Sequence, residues 1–171
     1  MRDGDPLWTG CMSCDTKAGK IKPPGGFVGG NEHWLFFLES APLLVAGKGY
    51  VILKRHCEHL DELTPDETAG LGPMLRDTTM AVRRALKPVR VHLGLYAEGV
   101  HHIHFHVVPR MAHMPASNIK LAYRTHWYRI LRRLGLKHPY DCRQVARIAV
   151  RMRAEFQRSE QTDFGGWEQL P

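Results

Sequence analysis

The pattern that organises the chain lies at 100–110, where His102, His104 and His106 alternate with Ile103, Phe105 and Val107. Alternation of period two sends successive side chains to opposite faces of a strand, so this stretch predicts a strand with one apolar face and one face of imidazoles. Two bulky runs precede it. Residues 33–38 (His-Trp-Leu-Phe-Phe-Leu) and 49–54 (Gly-Tyr-Val-Ile-Leu-Lys) read as strands, and with Glu39-Ser40-Ala41-Pro42 stopping the first they read as a hairpin. Before them the Gly/Pro/Lys-rich stretch up to Gly30 has no helical period and predicts a loop with at most a short strand around Phe27-Val28. Residues 89–96 alternate into a further strand, and a short turn at Ala97-Glu98-Gly99 returns the chain to the histidine strand, which should pair with it.

Helical periods fall elsewhere. Thr64-Pro65-Asp66-Glu67 is a capping box with proline at the first helical position, after which Leu71, Met74, Leu75, Thr78, Val82 and Leu86 recur on one face. A helix of about five turns is expected, weakened at its start by Pro73, which lacks the N–H an interior position donates and leaves room for a kink there. After Pro115 a second helical pattern carries Tyr123, Trp127, Ile130, Leu131 and Leu134 and stops at Gly135. A third starts at Asp141 and Gln144 and carries Val145, Ile148, Met152 and Phe156, with a polar tail holding Trp167 behind it. The expected class is α+β: an antiparallel sheet with one long helix in residues 1–115, then a helical extension over 116–171.

The chain has 171 residues, 43% hydrophobic and 24% charged, which is the size of one domain with its own core plus an appendage. No basic start followed by an apolar run and no membrane-length window is seen, so a cytoplasmic protein without a membrane partner is expected. The net charge of +7 is concentrated: residues 1–119 carry +1, residues 120–158 carry +9 and residues 159–171 carry −3. A field that local attracts phosphates or anionic polymers such as nucleic acid, although Arg143, Arg147 and Arg151 at four-residue spacing also fit a solvated helix face.

The charge pattern leaves the chemistry of the histidine row open. Each imidazole brings a donor and an acceptor that burial must satisfy, so the row reads as a metal site, a phosphate-handling site or both. A neutral imidazole can attack phosphorus and divide a hydrolysis into formation and breakdown of a covalent intermediate; His104 is favoured because it alone has a histidine on each side. The close pair Cys11 and Cys14, among cysteines at 11, 14, 57 and 142, reads as metal ligands or a redox pair in a reducing compartment.

His102-x-His104-x-His106, two apolar residues and Pro109-Arg110 resemble the signature of the histidine triad family of nucleotide hydrolases and transferases. The resemblance covers about the first 115 residues and implies an α+β, HIT-like, five-stranded antiparallel sheet, commonly in a homodimer. It implies that His104 becomes nucleotidylated at an α-phosphate, without metal at phosphorus. It further implies that His106 contacts phosphate and leaving group; a role in orienting alone is the alternative. Substrates of this branch are nucleoside phosphoramidates or diadenosine polyphosphates. Glu39 stands where the family commonly has an Asp that bonds the ribose hydroxyls.

Phe37, with Trp34 and Phe36, would wall a base pocket or belong to the core. The family's phosphate-holding loop is shortened here to residues 96–100, which lacks its hydroxyl and carries Glu98, so the amides of Gly99 and Val100 are the remaining phosphate donors. In a subset of the family Cys-x-x-Cys, a later histidine and the first triad histidine bind zinc. The matching positions are Cys11, Cys14, His56 and His102, a closed Cys2His2 set of the structural kind. His59 rivals His56, and thiols without metal are the plainer alternative. Two rival functions are a non-catalytic nucleotide- or nucleic-acid-binding module and a deadenylating enzyme acting on nucleic-acid ends.

Overall fold

The computed structural model describes residues 10–39, 45–96, 99–114, 134–135 and 141–161. The helix expected around Trp127, the Glu98 side chain and the tail at Trp167 lie outside the described residues, as does the expected boundary at 115. Five strands form one sheet: β1 (Phe27–Gly30), β2 (Trp34–Leu38), β3 (Gly49–Leu53), β4 (Arg90–Leu95) and β5 (His104–Arg110), in the order β1-β2-β3-β5-β4, every pair antiparallel. Among the described residues three α-helices accompany it, α1 (Met12–Lys17), α2 (Pro65–Leu86) and α3 (Cys142–Gln161), with one 3-10 turn at Leu60–Glu62.

Helix α2 begins as its sequence dictates: Thr64 accepts from the Glu67 N–H and the Glu67 carboxylate accepts from the Thr64 N–H. It runs 22 residues without a break at Pro73, longer than the sequence suggests. The reason is placement: Pro73 and Ala69, whose carbonyl it deprives of a helical donor, are both exposed, so that carbonyl is open to solvent rather than buried. The inner face of α2 packs Met74, Ala81, Val82 and Ala85 onto Trp34, Phe36, Leu38, Val51, Leu53 and Val107 of the sheet.

Helix α3 enters the same core through Val145, Ala149, Met152 and Phe156. It needs a strand without a side chain, since a Cβ on Gly29 would lie 2.3 Å from the Phe156 ring. Two of its arginines are tied down: Arg151 donates to Ala85 O at 2.7 Å and Arg153 to Phe27 O.

Two sequence expectations change. Cys11 to Lys17 is not loop: α1 is a short helix whose N-cap is Cys11, too brief to show a period. The histidine strand starts at His104, not Val100. His102 lies in a bend ahead of it, its N–H donating back to Val100 O at 2.8 Å, while the neighbouring Ile103 N–H is taken by Cys57 O.

Candidate active site and metal centre

The sheet has two unlike faces. Trp34, Phe36, Val51, Phe105 and Val107 point to the helices, so residues in the alternate register point away. The register sets Phe27 opposite Phe37, Phe37 opposite Tyr50, Tyr50 opposite His106, and His106 opposite Gly94, one row across all five strands. Neighbouring rings meet edge-on or tilted at 5.8 Å (Phe27 and Phe37), 5.9 Å (Phe37 and Tyr50) and 5.1 Å (Tyr50 and His106). Phe37 therefore lies on the histidine face, whereas Trp34 and Phe36 are core. At the last position Gly94 has no side chain, and the Tyr96 ring fills the space: a Cβ there would lie 2.8–2.9 Å from its ring and hydroxyl. Tyr96 meets the other side of His106 at 5.3 Å.

His104 and His106 are neighbours on this face, their rings 4.9 Å apart. His104 is buried and its Nδ1 lies 2.7 Å from His102 O. A carbonyl only accepts, so Nδ1 carries the proton and Nε2 keeps its lone pair. That is the tautomer a nucleophile requires. Burial, aided by the positive charge of Lys48, pushes the His106 imidazolium down to about 4, so this ring is neutral at physiological pH.

Beside the row, Glu39 Oε1 accepts from Tyr50 Oη at 2.8 Å and from Lys48 Nζ at 2.9 Å. The carboxylate expected to meet a ribose thus already serves two donors, which leaves its other lone pairs for a ligand. Gly99 and Val100 sit in the bend before His102, and Val100 O is engaged by the His102 N–H.

The second centre begins at the far side of His102. Its Nε2 donates to Leu53 O at 2.8 Å, which turns Nδ1 toward Cys11 Sγ at 3.3 Å and Cys14 Sγ at 3.6 Å. His56 Nδ1 lies 3.5 Å from Cys14 Sγ, and the ligand atoms of the four residues all fall within 4.8 Å of one another. A tetrahedral zinc keeps its sulfur and nitrogen ligands roughly 3.3–3.8 Å apart, so the donor set and spacing fit that ion. The fixed Nε2–H of His102 is the supporting bond such ligands use.

His59 stays out of the cluster because residues 56–59 are not helical: the His59 backbone is extended at φ −117°, and Glu62 gathers the N–H groups of Glu58 and His59. Arg55 anchors the same segment through a two-pronged ion pair with Glu67, both contacts 2.8 Å, and Glu67 is held down at about 2 by it. Burial raises the Cys14 thiol and lowers the His102 imidazolium, so both groups are neutral without an ion.

Sequence reading finds the histidines and both cysteines of the pair but passes over Lys48, Tyr50 and Tyr96. The signal for Tyr50 is the hairpin itself, since its place in the 49–54 alternation puts it on the face away from Val51. Tyr96 has only the glycine two positions before it. No described helix is long and apolar enough to cross a membrane.

A HIT domain model matches residues 23–113. The chain is 29% identical over 106 residues to an uncharacterised HIT-like protein of Methanocaldococcus jannaschii, covering 58% of this chain and 78% of that one. Its fold is similar to a zinc-bound histidine triad family protein from Mycobacterium smegmatis (TM-score 0.64, 21% identity, 90% of this chain and 97% of the other). It is also similar to a hypothetical histidine triad nucleotide-binding protein from Sulfolobus tokodaii (TM-score 0.66, 17% identity, 92% and 98%). The domain match spans more than half of the chain, from ahead of β1 to just past the histidine strand: this chain belongs to the histidine triad family.

Proposed function

We propose that the protein transfers or hydrolyses a nucleotide at its α-phosphate, on nucleoside phosphoramidates or diadenosine polyphosphates, through a nucleotidyl group carried on Nε2 of His104. The observation that carries this reading is the 2.7 Å bond from His104 Nδ1 to His102 O, which leaves Nε2 unprotonated and open to the histidine face. His106, neutral and 4.9 Å away, is placed to bond the phosphate and leaving group with its own N–H. Gly99 and Val100 supply backbone amides to the phosphate. Phe37 and its ring neighbours form the apolar side of the nucleoside pocket, and Glu39 bonds the ribose with the acceptor capacity that Tyr50 and Lys48 leave.

Cys11, Cys14, His56 and His102 would hold one structural zinc, closed to substrate. Its chemistry there is to tie α1 and the 53–57 segment to the residue that fixes the His104 tautomer. Thiols kept for a metal favour a reducing, cytoplasmic compartment, and the functional unit is a homodimer. Incubation with adenylylated amines and dinucleotides, followed by mass spectrometry of the His104 peptide, tests the reading. A nucleoside monophosphate on His104 is expected, and its absence with every such compound, while product forms, overturns the covalent route.

A further inference from the structure

Two tyrosines flank His106, Tyr50 at 5.1 Å and Tyr96 at 5.3 Å, and they differ in what their hydroxyls do. Tyr50 gives its O–H to Glu39. Tyr96 makes no hydrogen bond with its hydroxyl among the described residues, and its side chain is 69% exposed. An aromatic ring kept only for packing would turn its polar end to solvent away from the sheet. Tyr96 instead lies back along its own strand, so that its hydroxyl is 2.9 Å from where a Gly94 Cβ would stand, on the face that carries His106 and His104. Any side chain at Gly94 would evict it. The pair Gly94 and Tyr96 thus brings a phenol with no partner among the described residues beside His106, whose ring adjoins that of His104, on the opposite flank from the Glu39, Lys48 and Tyr50 group.

We propose that Tyr96 is a catalytic residue that donates its phenol proton to the leaving group, and so sets which leaving groups the enzyme accepts. This rests on the covalent reading above. In the first step the His104 Nε2–P bond forms and the bond from phosphorus to the leaving nitrogen or oxygen breaks. The departing atom keeps the bonding pair and takes the Tyr96 proton. In the second step water attacks phosphorus, its oxygen replaces Nε2, and its proton returns to the phenolate, so His104 and Tyr96 both end as they began. His106, already neutral, is left to hold the phosphate.

The test uses two adenylylated probes, an adenosine 5′-phosphoramidate of an aliphatic amine and adenosine 5′-(p-nitrophenyl) phosphate. The amine must gain a proton to leave, whereas p-nitrophenolate departs as a stable anion. Tyr96→Phe keeps the exposed ring and should lower kcat/KM on the phosphoramidate by roughly a hundredfold, the scale of a lost general acid, and on the p-nitrophenyl ester by less than about threefold. Gly94→Ala, with the tyrosine intact but displaced, should show the same selectivity. An equal loss on both probes, or no loss on either, overturns the assignment of Tyr96. Trapped nucleotidyl-His104 in the wild type together with an unselective Tyr96→Phe removes this inference alone; no trapped intermediate in the wild type removes both readings.

Discussion

His104 gives its Nδ1 proton to the backbone oxygen of His102, and His102 gives its own Nε2 proton to the backbone oxygen of Leu53. Two imidazoles in series are thereby fixed in opposite tautomers. The first leaves Nε2 free on the open face, and the second leaves Nδ1 free toward the cysteines. His104→Ala removes the nucleophile from a strand whose packing rests on Phe105 and Val107. The expected outcome is a loss of turnover by several powers of ten with the melting transition retained, measured by steady-state kinetics beside circular dichroism. A variant keeping more than about a tenth of the wild-type rate contradicts a covalent role.

The sulfur and nitrogen spacing of the Cys2His2 cluster leads to a stoichiometric expectation. Protein purified without chelator should contain about one zinc per chain by elemental analysis. Cys14→Ser should lose metal and melting temperature together, because the ligands assemble only on folding and binding energy is then folding energy. Zinc uptake should release protons from Cys14, whose thiol burial keeps protonated in the absence of an ion. Full metal content in Cys14→Ser would remove this cysteine from the ligand set.

The pH profile should be set low by His106. Its folded value near 4 lies below the ordinary 6.5, so protonation is disfavoured in the native state and the neutral ring persists down to about 4. For kcat/KM the contribution of His106 should be level from neutral pH to about 5 and fall only near 4. The same shift disfavours the fold as pH drops from 6.5 to about 4, since the unfolded chain takes up that proton first. An acid limb near 6.5 that is abolished in His106→Asn would show the ring to be ordinary.

Glu67 shifts the other way. Arg55 holds its carboxyl near 2, against an ordinary value of about 4.3, so its stabilising effect is complete above the ordinary value and fades as pH falls toward 2. Glu67→Gln should lower the melting temperature at pH 7, and the gap from wild type should close by about pH 2. Because Arg55 adjoins His56, the variant should also weaken zinc retention, read by competition with a chromophoric chelator.

The arginines of α3 are not equivalent. Arg151→Gln loses the bond to Ala85 O and should cost about 1 kcal/mol of stability, whereas exposed Arg143→Gln and Arg147→Gln should stay within about 0.5 kcal/mol. If Arg143 and Arg147 meet a nucleic-acid strand, their joint removal should lower affinity for a single-stranded oligonucleotide and flatten its salt dependence. Unchanged affinity in filter binding would assign them to solvent alone.

The sheet, the capped helix α2 and the triad were legible because each is written locally: alternation over Ile103 to Val107, a capping box at Thr64, imidazoles two apart. The place of His102 was not, since its bend is held by the bonds of His102 to Leu53 O and of the next residue, Ile103, to Cys57 O, both from distant parts of the chain. Lys48, Tyr50 and Tyr96 were missed for a related reason. Their roles come from what stands opposite them across the sheet, and single-strand alternation tells which face a residue takes but not which neighbour it meets. The choice of His56 over His59 needed the extended backbone of 56–59, which no helical or strand period announces.

Phe156 seated over Gly29 has a consequence for the order in which the chain can become native. Strand β1 precedes every other strand in the chain, yet the ring that covers it belongs to α3, which follows them all. Until α3 docks, Val28 and its bulge face water, and the edge of the sheet stays uncovered. The docking of β1 is therefore bound to the arrival of α3, and a chain cut between β5 and α3 is expected to keep its histidines and lose its first strand.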